Sequence, residues 1–153
     1  MRSGVRLGVD VGTVRIGVAR SDFHGVLATP VETVARGDGD VARLLEIAAE
    51  LDVTEIVVGL PLALSGRRTA STEDAVGFAE RLVPAAGVPV RLVDERLSTV
   101  SAQAAVRSSG KSTKQSRSVI DQVAAVIILQ HALDFERSSA QPPGVVVDPD
   151  KGL

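Results

Sequence analysis

Three acidic positions lie in or beside segments whose other residues are apolar, so their carboxylates have no obvious partner. Asp10 is in the run Arg6-Leu-Gly-Val-Asp-Val-Gly12, Asp94 and Glu95 end a second apolar run, and Asp121 lies in a helical stretch. A buried carboxylate is unfavourable unless it is paired or binds a cation. Hard cations such as Mg²⁺ and Mn²⁺ take oxygen ligands, often a few carboxylates with water and substrate phosphate. A divalent-metal site is therefore one interpretation, and caps or salt bridges are the alternative.

The positions of these acids restrict which of them can share a site. Asp94 and Glu95 follow one another along a strand, so they face opposite sides of the sheet and at most one can face Asp10. Ligands of open α/β sheets bind beyond the carboxyl ends of strands, where this pair lies. Asp121 precedes apolar residues by three, four and seven positions and so shares their helix face. Two cations about 4 Å apart would activate a water for phosphodiester cleavage.

The elements that must position these acids follow from the periodicity of the apolar residues. Strand-like runs occupy Arg6–Asp10, Arg15–Ser21, Leu27–Val34, Glu55–Gly59 and Val88–Asp94, the first three of which predict an antiparallel meander. Helices are expected over residues 40–51, 72–83, from Ser98 or Thr99 to Arg107, and 116–135. The pattern predicts an α/β domain with a mixed sheet flanked by helices. Residues 138–153 are rich in Ser, Gln, Pro and Gly and are expected to form a disordered tail.

Composition excludes several classes of function. A chain of 153 residues is expected to form one domain. It has three Phe and no Trp or Tyr, which argues against a single-strand binder that stacks bases on aromatic rings. The absence of cysteine excludes a disulfide frame and a thiol nucleophile. With no apolar stretch of membrane-spanning length and no signal-peptide core, we expect a cytoplasmic protein that does not enter a membrane.

Basic residues form local groups although the formal net charge is −2. Arg67 and Arg68 share a loop, and Lys111, Lys114 and Arg117 precede or begin the last helix. Such groups can hold a phosphate backbone in a slightly acidic chain, and simple solvated charge is the alternative.

Two further positions could contact substrate. Gly12 and Thr13 would let a phosphate approach the turn after Asp10, although a tight hairpin also favours glycine. Arg96 could contact the scissile phosphate, with pairing to Asp94 as the more common fate of such an arginine.

Four motifs then occur in an order that resembles the YqgF/RuvX family, whose members are described as Holliday junction resolvases and as nucleases that mature the 5′ end of precursor 16S rRNA. The motifs are Leu7-Gly-Val-Asp-Val-Gly-Thr13 with Arg15-Ile-Gly-Val-Ala, then Ile56-Val-Val-Gly-Leu-Pro61, Asp94-Glu-Arg-Leu-Ser-Thr99, and Asp121-Gln-Val-Ala-Ala-Val-Ile-Ile-Leu-Gln130. The resemblance covers about residues 6 to 134. After Pro61 the family commonly has an Asn and then an Asp-Gly pair, whereas this chain has Ala63 and Ser65-Gly66.

The resemblance implies a ribonuclease-H-like nuclease domain over residues 1–137. It also implies an Asp–Glu–Asp site for Mg²⁺ or Mn²⁺ formed by Asp10, Glu95 and Asp121, which selects Glu95 over Asp94. The expected activity is cleavage of structured nucleic acid, with maturation of precursor 16S rRNA first and resolution of DNA junctions second.

Other functions remain open from sequence. Symmetrical cutting of a four-way junction would need a homodimer, whereas trimming an RNA end would not. A non-enzymatic RNA-binding factor for ribosome assembly is a further alternative, because the loop at Ala63 and Ser65 departs from the family pattern. Actin-like ATPases also begin with Asp-x-Gly-Thr in a strand hairpin. They bind nucleotide between two such domains, however, and this chain is too short to contain both.

Overall fold

The computed structural model describes residues 1–96 and 113–148, and for residues 113–119 it describes the backbone only. The elements are β1 (Arg6–Val11), β2 (Arg15–Ser21), β3 (Ala28–Ala35), α1 (Asp40–Glu50), β4 (Glu55–Leu60), α2 (Ala70–Ala86), β5 (Val90–Asp94), α3 (Thr113–Ser139) and β6 (Val145–Val146). The helix predicted from Ser98 or Thr99 to Arg107 lies outside the described residues. Helix α3 begins at Thr113, three residues earlier than the sequence predicts, and no helix in the described part is long and apolar enough to cross a membrane.

One six-stranded sheet organises the molecule, with the strand order β3-β2-β1-β4-β5-β6. Strands β1, β2 and β3 pair antiparallel, as the predicted meander requires. Strand β4 pairs parallel with both β1 and β5, and β6 pairs antiparallel with β5. The predicted mixed sheet flanked by helices is therefore confirmed.

The two faces of the sheet pack against different helices. Alternation along β1 turns Leu7 and Val9 into the core shared with α1 and α2. The intervening residues Gly8 and Asp10 turn towards α3. The same alternation places Arg15 and Gly17 of β2 on the α3 side, because Gly17 lies directly opposite Asp10. Asp10 of β1 and Arg15 of β2 therefore both lie on the face of the sheet that α3 covers.

Glycines allow α3 to lie directly on the strands. A Cβ at Gly17 would lie 1.8 Å from the backbone oxygen of Asp121, and a Cβ at Gly8 would lie 2.7 Å from Cβ of Leu129. Distances this short exclude any side chain at either position unless the helix moves. The contact at Gly17 fixes Asp121 of α3 beside the cross-strand neighbour of Asp10.

The expected disordered tail is wrong for residues 138–148. Helix α3 continues to Ser139, and the Val145–Val146 strand pairs with β5. Val147 is buried, and its backbone N–H donates to the Val90 oxygen over 2.8 Å. Three consecutive valines supply the β-branched, apolar residues that a strand favours, and the surrounding Ser, Pro, Gly and Asp concealed that signal.

A buried ionic network at the opposite end of the sheet joins Arg2, near the N-terminus, to the sheet and to α3. Glu136 of α3 accepts from Arg2 and Arg6, and Glu55 at the start of β4 accepts from Arg2 and Arg91. Glu55, Glu136 and Arg6 are almost completely buried. Buried charges require such partners, so the network has a structural role far from the carboxyl ends of the parallel strands.

Candidate active site

Asp10, Glu95 and Asp121 approach one another on the α3 side of the sheet. Asp10 lies near the end of β1, and Glu95 follows β5 with its backbone N–H 3.3 Å from the Leu60 oxygen at the end of β4. Asp121 reaches the same place from α3, whose backbone rests on Gly17. The three acids thus come from two strand ends and one helix, at the edge where ligands of α/β sheets bind.

Burial and neighbouring negative charges raise the pKa of Asp10 and of Glu95. Burial, and secondly the charge of Asp121, raises the pKa of Asp10 to about 7. Burial, followed by the charges of Asp10 and Asp94, raises the pKa of Glu95 to about 8. Burial disfavours the ionised form, and a neighbouring negative charge disfavours it further. Both groups are therefore partly protonated near neutral pH.

Glu95 owes its position to a glycine on the neighbouring strand. A Cβ at Gly59 would lie 2.0 Å from Oε2 of Glu95 and 2.7 Å from Cδ1 of Ile128. That Oε2 atom is buried and has no hydrogen-bond partner among the described residues. A buried polar atom without a partner is rare in folded proteins, and a carboxylate oxygen in that position is suited to binding a cation.

Asp121 is held by an arginine to which the sequence analysis assigned no role. Nε of Arg15 donates to Oδ2 of Asp121 over 2.8 Å. The side chains are 33% and 17% exposed, so the pair is partly shielded from water. The strand pattern indicates only that Arg15, two residues before Gly17, faces the same side of the sheet, and it does not identify Asp121 as the partner.

The donor set suits a hard cation, although the side chains do not form a complete cage. Carboxylate oxygens are the ligands that Mg²⁺ and Mn²⁺ prefer, and Oε2 of Glu95 offers one without a partner. Among residues 1–96 and 120–148, no three acidic or histidine side chains are close enough together to hold an ion. Asp121 already has a partner in this arrangement, because its carboxylate accepts from Arg15.

Asp94 lies outside this group, as the alternation of side chains predicts. It is exposed, and its carboxylate accepts from Nε of Arg96 over 2.8 Å. Nη1 of Arg96 also donates to the Leu64 oxygen over 3.2 Å. Arg96 therefore has the structural partner that was its alternative interpretation, and it connects the end of β5 to the loop that follows β4.

The loop over residues 61–69 is ordered despite its departure from the family pattern. The Gly66 N–H donates to the Ala63 oxygen over 2.7 Å, and the Ala63 N–H donates to the Arg67 oxygen over 2.9 Å. Gly66 has φ +88°, a left-handed conformation that glycine adopts readily. Ser65-Gly66 thus keeps the glycine on which this tight turn depends.

The two arginines of that loop have different surroundings. Arg68 donates through Nε and Nη2 to both carboxylate oxygens of Glu73 over 2.7 Å. Arg67 is exposed and has no acidic partner in the described part of the chain. Of the pair, Arg67 is the one whose charge remains available to a phosphate.

Arg36 stabilises the turn that follows Asp10 through a hydrogen bond to its backbone. The Gly12 N–H donates to the Arg15 oxygen over 2.9 Å, and a Cβ at Gly12 would lie 2.6 Å from that oxygen. Arg36 donates to the Gly12 oxygen and forms a two-bonded pair with Asp74 of α2. The hairpin therefore needs glycine for its own geometry, while Thr13 next to it is exposed.

The remaining basic residues that were predicted to contact substrate either precede α3 or lie in its first turns. Lys111 lies outside the described residues. Lys114 and Arg117 belong to the first turns of α3, seven and four residues before Asp121, and their side chains are outside the described part.

Comparison with known proteins gives consistent results. Residues 4–135 match the model of the RuvX family, described as Holliday junction resolvase. A protein of Leifsonia xyli named "Putative pre-16S rRNA nuclease" is 68% identical over 155 residues, covering 99% of each chain. One of Clavibacter sepedonicus with the same name is 65% identical over 159 residues, again covering 99% of each chain.

Solved structures show the same architecture at low identity. RuvC of Thermus thermophilus, in complex with a Holliday junction substrate, superposes with a TM-score of 0.57 at 18% identity. The match covers 91% of this chain and 98% of that one. At this low identity the likeness shows the fold alone, which is ribonuclease-H-like.

Proposed function

Because the chain belongs to the RuvX family, we propose that it is a metal-dependent nuclease that cleaves phosphodiester bonds of structured RNA, with 5′-end maturation of precursor 16S rRNA as its reaction. Relatives that match 99% of the chain carry that name. The reaction would take place in the cytoplasm, where the sequence predicts the chain to reside.

The observation that carries the proposal is the buried, unpartnered Oε2 atom of Glu95, close enough to the half-buried Asp10 for their charges to interact. The Glu95 carboxylate occupies the space that a side chain at position 59 would need, so only glycine fits there. The burial of its Oε2 atom is itself unfavourable. Two half-buried carboxylates with interacting charges do not stabilise a fold, since they repel each other unless they bind protons or a cation. A cation site explains the arrangement, and an RNA-binding surface does not require it.

The residues divide the work as follows. Asp10, Glu95 and Asp121 would hold Mg²⁺ or Mn²⁺. Such ions, when bound, activate a water and neutralise charge on the scissile phosphate. Thr13, in the turn after β1, and Arg67, on the loop after β4, are both exposed and would contact phosphates of the substrate and fix its position. Arg96 supports that loop through the Leu64 oxygen and would act on substrate through it.

Resolution of DNA junctions is the second candidate, favoured by the description of the family. The chemistry at the phosphate would be the same, so the acids alone do not discriminate between the substrates. A junction has to be cut on two strands at once, which requires two copies of the chain, whereas an RNA end requires one. The substrate and the oligomeric state can therefore be tested together.

A side-by-side cleavage assay tests the proposal. The parent, Asp10→Asn and a matched exposed control, Asp38→Asn, are incubated with Mg²⁺ or Mn²⁺ and either precursor RNA carrying the 5′ extension or a four-way DNA junction. We expect RNA cleavage by the parent and by Asp38→Asn, with a loss of at least about 100-fold in Asp10→Asn. Equal cleavage by Asp10→Asn would refute the metal role, and cleavage of the junction alone would transfer the function to DNA. RNA binding by all three proteins without any cleavage would favour an assembly factor.

A further inference from the structure

The ion pair between Arg15 and Asp121 places a fixed positive charge on one of the three acids of the candidate metal site. Nε of Arg15 lies 2.8 Å from Oδ2 of Asp121, on the side of the sheet that also carries Asp10. We propose that Arg15 is a positioning residue that competes with the cation for Asp121 and thereby sets the affinity of the site for metal. This inference rests on the proposed function, since it requires the acids to bind a cation.

Strand geometry brings the guanidinium of Arg15 to the same carboxylate that the cation would use. Arg15 is at the first position of β2, two residues before Gly17, and both therefore face α3. Because α3 rests on Gly17 through the backbone of Asp121 itself, the carboxylate cannot move far from the arginine. A cation and the guanidinium must share one carboxylate that is only 17% exposed.

The charges of the neighbouring residues are consistent with this role. Three carboxylates with one guanidinium carry a formal charge of minus two, which one divalent ion would neutralise. Without Arg15 the same acids would carry minus three and would attract a cation more strongly. Arg36, the other arginine near the hairpin, is occupied by Asp74 and the Gly12 oxygen and cannot replace it.

The direction of the effect separates competition from mere support of the fold. Before the cation engages Asp121, the ion pair has to open, so the apparent affinity falls by the fraction of molecules in which it is open. An ion pair of ordinary strength leaves roughly one molecule in five open, so its removal should tighten metal binding about fivefold. A residue that only supported the site would weaken metal binding when removed.

Isothermal titration with Mn²⁺ alone, without nucleic acid, tests this on the full chain. We expect Arg15→Gln to bind Mn²⁺ about fivefold more tightly than the parent. The control Arg20→Gln removes the same charge from the opposite face of β2 and should leave the affinity unchanged within about twofold. In an Asp121→Asn background, Arg15→Gln should have no further effect, because the carboxylate for which they compete is gone.

Unchanged or weaker Mn²⁺ binding by Arg15→Gln would overturn the inference, as would equal tightening in the Asp121→Asn background. If Arg15→Gln does not fold, Arg15→Lys replaces it. Lysine is a weaker partner for a carboxylate and should give a smaller tightening of the same sign. Mn²⁺ binding by Asp10→Asn distinguishes failure of the metal site from failure of the competition. Parental Mn²⁺ binding by Asp10→Asn would refute the metal site itself, whereas its loss with no tightening in Arg15→Gln would refute only the competition.

Discussion

Asp10 and Gly17 lie directly opposite each other on β1 and β2, and the missing side chain of Gly17 is the space in which the Asp121 backbone rests. One glycine therefore sets the separation between a strand acid and a helix acid. The arrangement of the candidate site depends on backbone packing as much as on the acids themselves, because nothing wider than a hydrogen atom fits between the helix and β2 at this point.

Gly17→Ala should damage activity through this packing. The added Cβ would lie 1.8 Å from the Asp121 oxygen, so α3 has to move away and Asp121 moves with it. Overpacking of this kind destabilises a protein by about 1–3 kcal/mol. We expect a lower urea midpoint together with a loss of cleavage larger than the loss of folded protein explains.

Gly77→Ala is the matched control for that substitution. Gly77 is in α2, and a Cβ there meets no atom within 4 Å. Alanine should stabilise the helix by about 0.5–1 kcal/mol relative to glycine and leave cleavage unchanged. If the two variants behaved alike, the close approach of α3 at Gly17 would not matter for the site.

The acids also predict how stability depends on pH. The pKa of Asp10 is about 7 in the folded chain and near 4 when unfolded, so the folded state binds the extra proton between these values. Stability without metal should therefore fall as the pH rises from about 4 through 7, with Glu95 extending the fall to about 8. Asp10→Asn should reduce the total fall by on the order of 2 kcal/mol, measured by urea unfolding in EDTA from pH 5 to pH 9. An identical pH profile in Asp10→Asn would mean that Asp10 is not the group responsible.

Metal binding should show the opposite dependence on pH. Because a cation displaces the protons of Asp10 and Glu95, the affinity for Mn²⁺ should rise from pH 6 to pH 9. Calorimetry in buffers of different ionisation enthalpy should detect proton release at pH 6.5 that disappears by about pH 9.5. Binding without proton release at pH 6.5 would show that both acids are already ionised.

Adjacent acids at the end of β5 offer a matched comparison. Glu95 faces Asp10 with an unpartnered oxygen, whereas Asp94 is exposed and pairs with Arg96. Glu95→Gln should reduce cleavage at least about 100-fold, since a metal ligand is lost, and Asp94→Asn should remain within about fivefold of the parent. The two variants differ from the parent by the same charge, so a reversed order would assign the site to Asp94 instead.

How far sequence reasoning reaches is clear from individual residues. Alternation along a strand was enough to separate Asp94 from Glu95, and the apolar periodicity located β1, β2 and β4 within one residue at each end. The choice of Glu95 came from family resemblance, because alternation alone does not say which face carries the site. The pair of Arg15 and Asp121 was beyond reach, since it joins residues 106 positions apart. Its geometry depends on how closely α3 approaches β2, which is a property of packing that no local pattern encodes. Strand β6 was missed for a different reason, because it adds only two residues to an edge and lies among turn-forming residues.

Arg67 and Arg68 provide a test of substrate contact on the 61–69 loop. Arg67 has no acidic partner in the described part of the chain, whereas Arg68 is paired with Glu73 on both carboxylate oxygens. Each phosphate contact contributes about 0.7–0.9 to the slope of log affinity against log salt. We expect Arg67→Ala to lower that slope by about this amount for precursor RNA, measured by fluorescence anisotropy between 50 and 300 mM salt. Arg68→Ala should change the slope less, because its charge is already offset by Glu73. Equal slopes for Arg67→Ala and the parent would place the phosphate contacts elsewhere on the chain.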